Sequence, residues 1–284
     1  MGPFTYLPTM IFIFLLISTR TYGFVQILPG VRTRDCHMKQ NAARSCDSHV
    51  LKSSTVEVVS LRGGAEIKLR HQLQIGGLEA DGDLTGLKMW PTTSEPMFTT
   101  LKKVILPAMH KEKESDSARP LRILELGSGC GLLGISLASL GEEVILTDPA
   151  VSFWNTETES GDVMSTLDHL RANIELNSKV VENRAGAAKL FWGNEEDLDN
   201  IENEGPFDLI IGSELLYYVD SFPGLLATIQ RLGKGGVPVI LGYKTRRLGE
   251  TKFLKAAEEH FDIKSEKLGR KNEGLLLARC VLKE

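Results

Sequence analysis

The chain is short of several things, and each shortage closes off a class of protein. It holds only 4 cysteines in 284 residues, too few to staple a fold of this size. Two of them, Cys36 and Cys46, lie early in the chain, while Cys130 and Cys280 sit in apolar surroundings that predict reduced, buried thiols. The 6 histidines keep no metal-ligand spacing with one another or with the cysteines, so no metal site is expected. The apolar run MIFIFLLI at 10–17 is too short to span a bilayer, and no stable membrane span is expected in the mature chain. Basic excess is also lacking. The formal net charge is −4, divided as +3 over residues 1–60 and −7 over the remainder. An acidic main body argues against a nucleic-acid partner and leaves room for a basic protein substrate. The remaining composition, 42% hydrophobic and 25% charged, is that of an ordinary globular soluble protein.

The 10–17 run has the length of a signal-peptide core, and Thr21-Tyr22-Gly23 places small residues where a signal peptidase would read them. Residues 1–23 are therefore read as a signal peptide. Residues 24–60 are rich in Ser, Thr, Arg and Lys, lack periodicity, and are read as a disordered or transit-type segment. Gly23-Phe24 followed by a basic stretch resembles the bipartite plastid-targeting presequences of algae with complex plastids. A plastid or secretory route is the expectation, with cytoplasmic residence the alternative. The folded domain is expected over 61–284, with its first strand near Glu66–Ile75 and a helix over Ser94–His110.

From Leu121 the pattern becomes regular. Leu121, Ile123, Leu124 and Leu126 suit a strand buried on both faces. Gly127, Gly129 and Gly131 follow, then a helix carrying Leu132, Leu133, Ile135 and Leu137, then a second buried strand ending at Asp148. Further strands are expected at Ala187–Trp192, Phe207–Ser213, Val237–Tyr243, Phe261–Ile263 and Gly274–Val281. Helices are expected near Asp162–Asn177, after Ser221 and at Glu250–His260. Strand–helix alternation predicts a Rossmann-like, mainly parallel seven-strand sheet with helices on both faces. The adjoining last two strands predict an antiparallel C-terminal hairpin.

The glycine turn narrows the ligand. Its spacing is G-x-G-x-G, unlike the G-x-G-x-x-G that a dinucleotide pyrophosphate prefers, and it holds no lysine to grip phosphate. Glu125, two residues upstream, would oppose a pyrophosphate and suits a cationic amino group. Asp148 is placed to accept hydrogen bonds from ribose hydroxyls. A nicotinamide-dependent oxidoreductase is disfavoured on the same spacing.

ILELGSGCGLLGI, VILTD, GLKMWPTT and DLIIGSELLYY together resemble the class I, seven-strand S-adenosylmethionine-dependent methyltransferases. They are most similar to family 16, the methyltransferase-like 21 group of protein lysine methyltransferases, over about residues 66–280. The resemblance implies S-adenosyl-L-methionine as cofactor. It implies that Gly127, Ser128 and Gly129 line the methionine portion, that Glu125 holds its amino end, and that Asp148 binds the ribose. Trp90, Trp192 and Ser213 would flank the cofactor. Glu214 and Tyr217 correspond to the group's acid-x-x-aromatic motif beside the methyl group, with Glu where many relatives have Asp. A lysine side chain of a protein is the implied acceptor. A small molecule, another protein atom, or cofactor binding without catalysis are the alternatives.

Overall fold

The computed structural model describes residues 54–72, 84–113, 119–154, 163–246, 249–269 and 274–283. The expected signal peptide 1–23 and most of the 24–60 segment lie outside the described residues, as does most of the Gly/Asp-rich turn after Ile75.

The first described element is a two-stranded antiparallel ribbon, β1 (Ser54–Ser60) with β2 (Glu66–Gln72). β1 falls inside the 24–60 stretch that was expected to lack fold. Val56 and Val58 face solvent, so the strand buries too little to leave an apolar signature. A helical run follows: α1 (Pro91–Thr100), a wider π turn at Leu101–Ile105, and α2 (Leu106–Glu112). It begins three residues before the expected Ser94, because Pro91 suits a first helical position. Pro96 and Pro107 each withdraw an amide donor, and the π turn lies between them.

The main sheet is built from β3 (Arg122–Leu126), β4 (Glu143–Asp148), β7 (Ala185–Lys189), β8 (Leu209–Ser213), β9 (Val239–Lys244), β10 (Phe261–Leu268) and β11 (Leu275–Leu282). Two short strands, β5 (Ser152–Trp154) and β6 (Val163–Ser165), form a hairpin after β4 that the sequence pattern did not predict. The helices between are α3 (Leu132–Ala138), α4 (Thr166–Leu176), α5 (Ser178–Val181), α6 (Glu195–Glu204), α7 (Phe222–Leu232) and α8 (Glu250–Ala257). The strand order is β10-β11-β9-β8-β3-β4-β7. Pairing is parallel from β7 to β9, and β11 runs antiparallel to both β9 and β10. The expected seven-strand sheet with its C-terminal hairpin is present.

Alternation along the strands sends apolar side chains to two cores. Ile123, Leu209, Ile211 and Ile240 join α1, α3 and α4 residues on one face. Leu124, Leu126, Ile210, Val239 and Leu241 join α6, α7 and α8 residues on the other. A strand apolar on both sides reads as a continuous run, which is why these strands were legible. Cys130 and Cys280 are free and buried, as expected. Among the described residues, no helix is long and apolar enough to cross a membrane.

The ribbon is fastened by two asparagines one turn apart, Asn173 on α4 and Asn177 at its C-terminal cap. The Asn177 side-chain amide accepts from the Lys68 N–H at 2.8 Å and donates to the Lys68 carbonyl at 2.7 Å. Asn173 does the same to Arg70, at 2.8 and 3.0 Å, and also donates to the Cys130 carbonyl at 2.9 Å. Each amide acts as one residue of a missing strand, and so satisfies the edge of β2. Replacing Asn173 by Ala therefore leaves buried backbone groups unpaired. We expect a loss of about 1–3 kcal/mol in denaturant unfolding, with faster hydrogen exchange at the Arg70 amide.

Candidate active site

In an open α/β sheet, ligands bind at the C-terminal strand ends, where the strand order reverses. Here the reversal is at β3, flanked by β4 and β8. Parallel register sets Leu126 beside Gly212, and so brings the glycine turn alongside Ser213 and Glu214. Gly127 and Gly129 both adopt left-handed backbone, at φ +57° and +54°. A Cβ on Gly127 would meet Leu215 at 2.8 Å and Trp192 at 3.2 Å, and one on Gly129 would meet the Gly86 carbonyl oxygen at 3.0 Å. The turn is thus hemmed in by three other segments, and only glycine fits.

Ser128 holds the turn in place. Its N–H donates to the Thr147 carbonyl at 2.8 Å, its carbonyl accepts from Gly131 at 2.8 Å, and its hydroxyl accepts from the Thr147 N–H at 3.1 Å. These bonds pin the glycine turn to β4. Asp148 ends β4, is almost fully buried, and accepts a hydrogen bond from the Thr166 hydroxyl at the start of α4. Its other oxygen points toward Gly86.

Glu125 is 3% exposed, and its Oε2 has no hydrogen-bond partner. Desolvation pushes its pKa up to about 8, against the Ser128 and Gly134 hydrogen bonds that favour the charged form. Among the described residues no cation pairs with this carboxyl group.

At the end of β8, Glu214 has φ +63°, a left-handed conformation that costs a non-glycine residue about 1 kcal/mol or more. The surroundings hold it there. Its N–H donates to the Gly242 carbonyl at 2.8 Å. The Thr93 hydroxyl donates to Oε1, and the Arg246 guanidinium pairs with Oε2. Thr93 reaches it because α1 lies directly on Gly242, where a Cβ would meet Met97 at 2.6 Å and Thr93 at 3.0 Å. One helix turn also brings Ser94 Oγ within 3.3 Å of Ser213 Oγ. The Tyr217 hydroxyl lies 2.8 Å from Thr85 Oγ1, and Trp90 Nε1 donates to the Thr85 carbonyl at 3.0 Å. Thr85 therefore ties Tyr217 and Trp90 together, and Gly86 beside it covers Gly129 and Asp148. Trp90 is 44% exposed, with the Lys88 ammonium 5.0 Å from its ring centroid. Tyr218 is also exposed, and Tyr217 is half-buried.

All the expected residues thus gather at one end of the sheet. Thr85, Thr93 and Arg246 were missed. Arg246 follows β9 by two residues, so the strand-end rule that singled out Glu214 would have found it. The two threonines carry no such signal.

Residues 70–260 match the family model described as lysine methyltransferase. The chain belongs to this family. Protein N-lysine methyltransferase METTL21A of Danio rerio is 33% identical over 145 residues, covering 50% of this chain and 58% of the relative. The Mus musculus METTL21A is 29% identical over 160 residues, covering 56% and 66%. EEF1A lysine methyltransferase 3 of Mus musculus is 28% identical over 154 residues, covering 54% and 58%. The chain spans less than two thirds of each relative's length.

The site fits the family's cofactor, S-adenosylmethionine. The glycine turn has no room for a Cβ, Asp148 adds a carboxylate at the end of the neighbouring strand, and the orphaned Glu125 oxygen suits a cationic amino group. The Glu125 pKa also predicts a pH effect on the protein alone. Between the ordinary value of 4.5 and about 8, the native state holds a proton that the unfolded chain has released. The stabilisation is complete below the lower value and is lost as pH rises toward the higher one. We expect urea-unfolding stability to fall across this window by up to about 1.4 kcal/mol per pH unit from this group, and Glu125→Gln to remove that slope.

Proposed function

We propose that this chain is an S-adenosylmethionine-dependent methyltransferase that N-methylates lysine side chains of a protein substrate. The observation that carries this reading is Glu214, held in a strained conformation within one strand of the glycine turn and three residues before the half-buried Tyr217. Strain of this kind survives where the surroundings over-determine a functional geometry.

When bound, the cofactor supplies a methyl group on a sulfonium, which is already a good leaving group. The protein's task is alignment and exclusion of water. Asp148 would accept from the ribose hydroxyls. Gly127 and Gly129 would admit the methionine portion to the backbone, with Glu125 near its amino group. Trp192, lying over Gly127, would wall the pocket. Glu214 would accept a hydrogen bond from the acceptor amine and aim its lone pair at the methyl carbon. Tyr217, with Trp90 and Tyr218 at the rim, would enclose the lysine's aliphatic stem. Together these residues would hold donor and acceptor in line. The exposed aromatic rim and acidic main body favour a protein acceptor over a small polar one. We further propose that residues 1–60 direct the chain to a plastid or secretory route. A fluorescent fusion of 1–60 that stays in the cytosol would overturn that part alone.

The full chain, incubated with radiolabelled S-adenosylmethionine and a cell extract, should label protein lysine. Label confined to small molecules would overturn the substrate class. Asp148→Ala should weaken cofactor binding at least about tenfold by calorimetry, since it removes charge-assisted hydrogen bonds. Glu214→Ala should leave cofactor affinity near wild type and lower kcat about 100-fold, because misalignment at the reacting centre has a cost of that order.

A further inference from the structure

We infer that Arg246 is a positioning residue that lets Glu214 hold the acceptor lysine as a neutral amine, an inference that rests on the lysine-methylation reading above. A lysine must lose its proton before it can attack, and its ordinary pKa is near 10.4. A lone carboxylate beside it works against this, because it stabilises the ammonium. Glu214 is not alone. The Arg246 guanidinium pairs with Oε2, so a lysine arriving at this carboxylate meets a pair of near-zero net charge. A guanidinium is suited to the task because it stays charged throughout and holds a fixed geometry.

The pairing is anchored from behind. The Glu250 carboxylate, on the first turn of α8, accepts from the Arg246 N–H at 2.6 Å and from the Gly249 N–H at 3.2 Å. Glu250 is 3% exposed, so the loop that carries Arg246 is fastened to the body of the protein. The groups bonded to Glu214 come from two elements. Arg246 comes from the loop after β9, with the Glu250 carboxylate behind it, and the neutral Thr93 comes from α1. Thr93 occupies Oε1 without adding charge. Arg246 is therefore the cation bonded to this carboxylate among the described residues, and the balance of the site turns on it.

The test is the pH dependence of the initial rate of label transfer to the protein band that the wild-type chain labels, between about pH 6 and 10. Arg246→Gln should move the ascending limb up by at least about one pH unit. That is roughly a tenfold slower rate near pH 8, regained at higher pH, with cofactor affinity unchanged. Arg246→Lys should restore most of the wild-type profile. Glu214→Gln leaves Arg246 unopposed and should move the limb the other way, whatever its effect on the maximal rate. An unchanged limb in Arg246→Gln, a loss equal at every pH, or shifts of the same sign in both Gln variants overturns the inference. If the wild-type chain labels no protein, the lysine reading fails and the inference falls with it. If the wild type labels and only the shifts are missing, the inference fails alone.

Discussion

The whole site depends on the burial of β3 from both sides and on both edges. With β4 and β8 as neighbours and a core on each face, its chain can leave the sheet only beyond Leu126, and must then reverse at once into α3. That reversal has to be made in left-handed backbone at Gly127, Gly129 and Gly131. It also has to be made under other chain segments, since Leu215, Trp192 and Gly86 lie against it. A turn forced into so little space exposes backbone at the one place where the strand order reverses. The ligand-binding geometry is a consequence of sheet topology before any particular side chain is considered.

The same closeness explains how the acceptor side is built. Gly242 on β9 lets α1 lie flat on the sheet, and Thr93 and Ser94 then meet Glu214 and Ser213. A larger residue at 242 would lift α1 and undo both contacts at once. The segment around Thr85 closes the arrangement from above, bonded to Tyr217 and Trp90 together. Cofactor side and acceptor side are therefore joined through Gly86 and Thr85, consecutive residues of one short segment.

The parts legible in the sequence were those whose physics is local. Buried parallel strands read as apolar runs, and the reversal after β3 reads as glycines. Asp148 and Glu214 are conspicuous as acids at the ends of such strands. The parts that were not legible depend on contacts between distant residues. Asn173 and Asn177 look like ordinary helix-surface polars until β2 lies beside them, more than 100 positions away in the chain. β1 escaped notice because two of its three valines, Val56 and Val58, face water. The bonds between Ser128 and Thr147, 19 positions apart, are likewise invisible until β4 lies beside the turn.

Two glutamates at the ends of adjacent strands divide the proposed chemistry between them. Glu125 is buried with no cation holding it charged, and desolvation dominates its titration. Glu214 carries a guanidinium of the protein's own. The first is a place for a charge that a ligand brings, and an amino group arriving there as an ammonium gains an ion pair. The second has its charge already matched, so an ammonium arriving there gains little and a neutral amine loses nothing. On the proposed reading the cofactor and the acceptor both present an amino group to a glutamate, yet the site asks for opposite protonation states. The difference follows from one arginine that β9 delivers to β8's end, while among the described residues no cation is paired with Glu125.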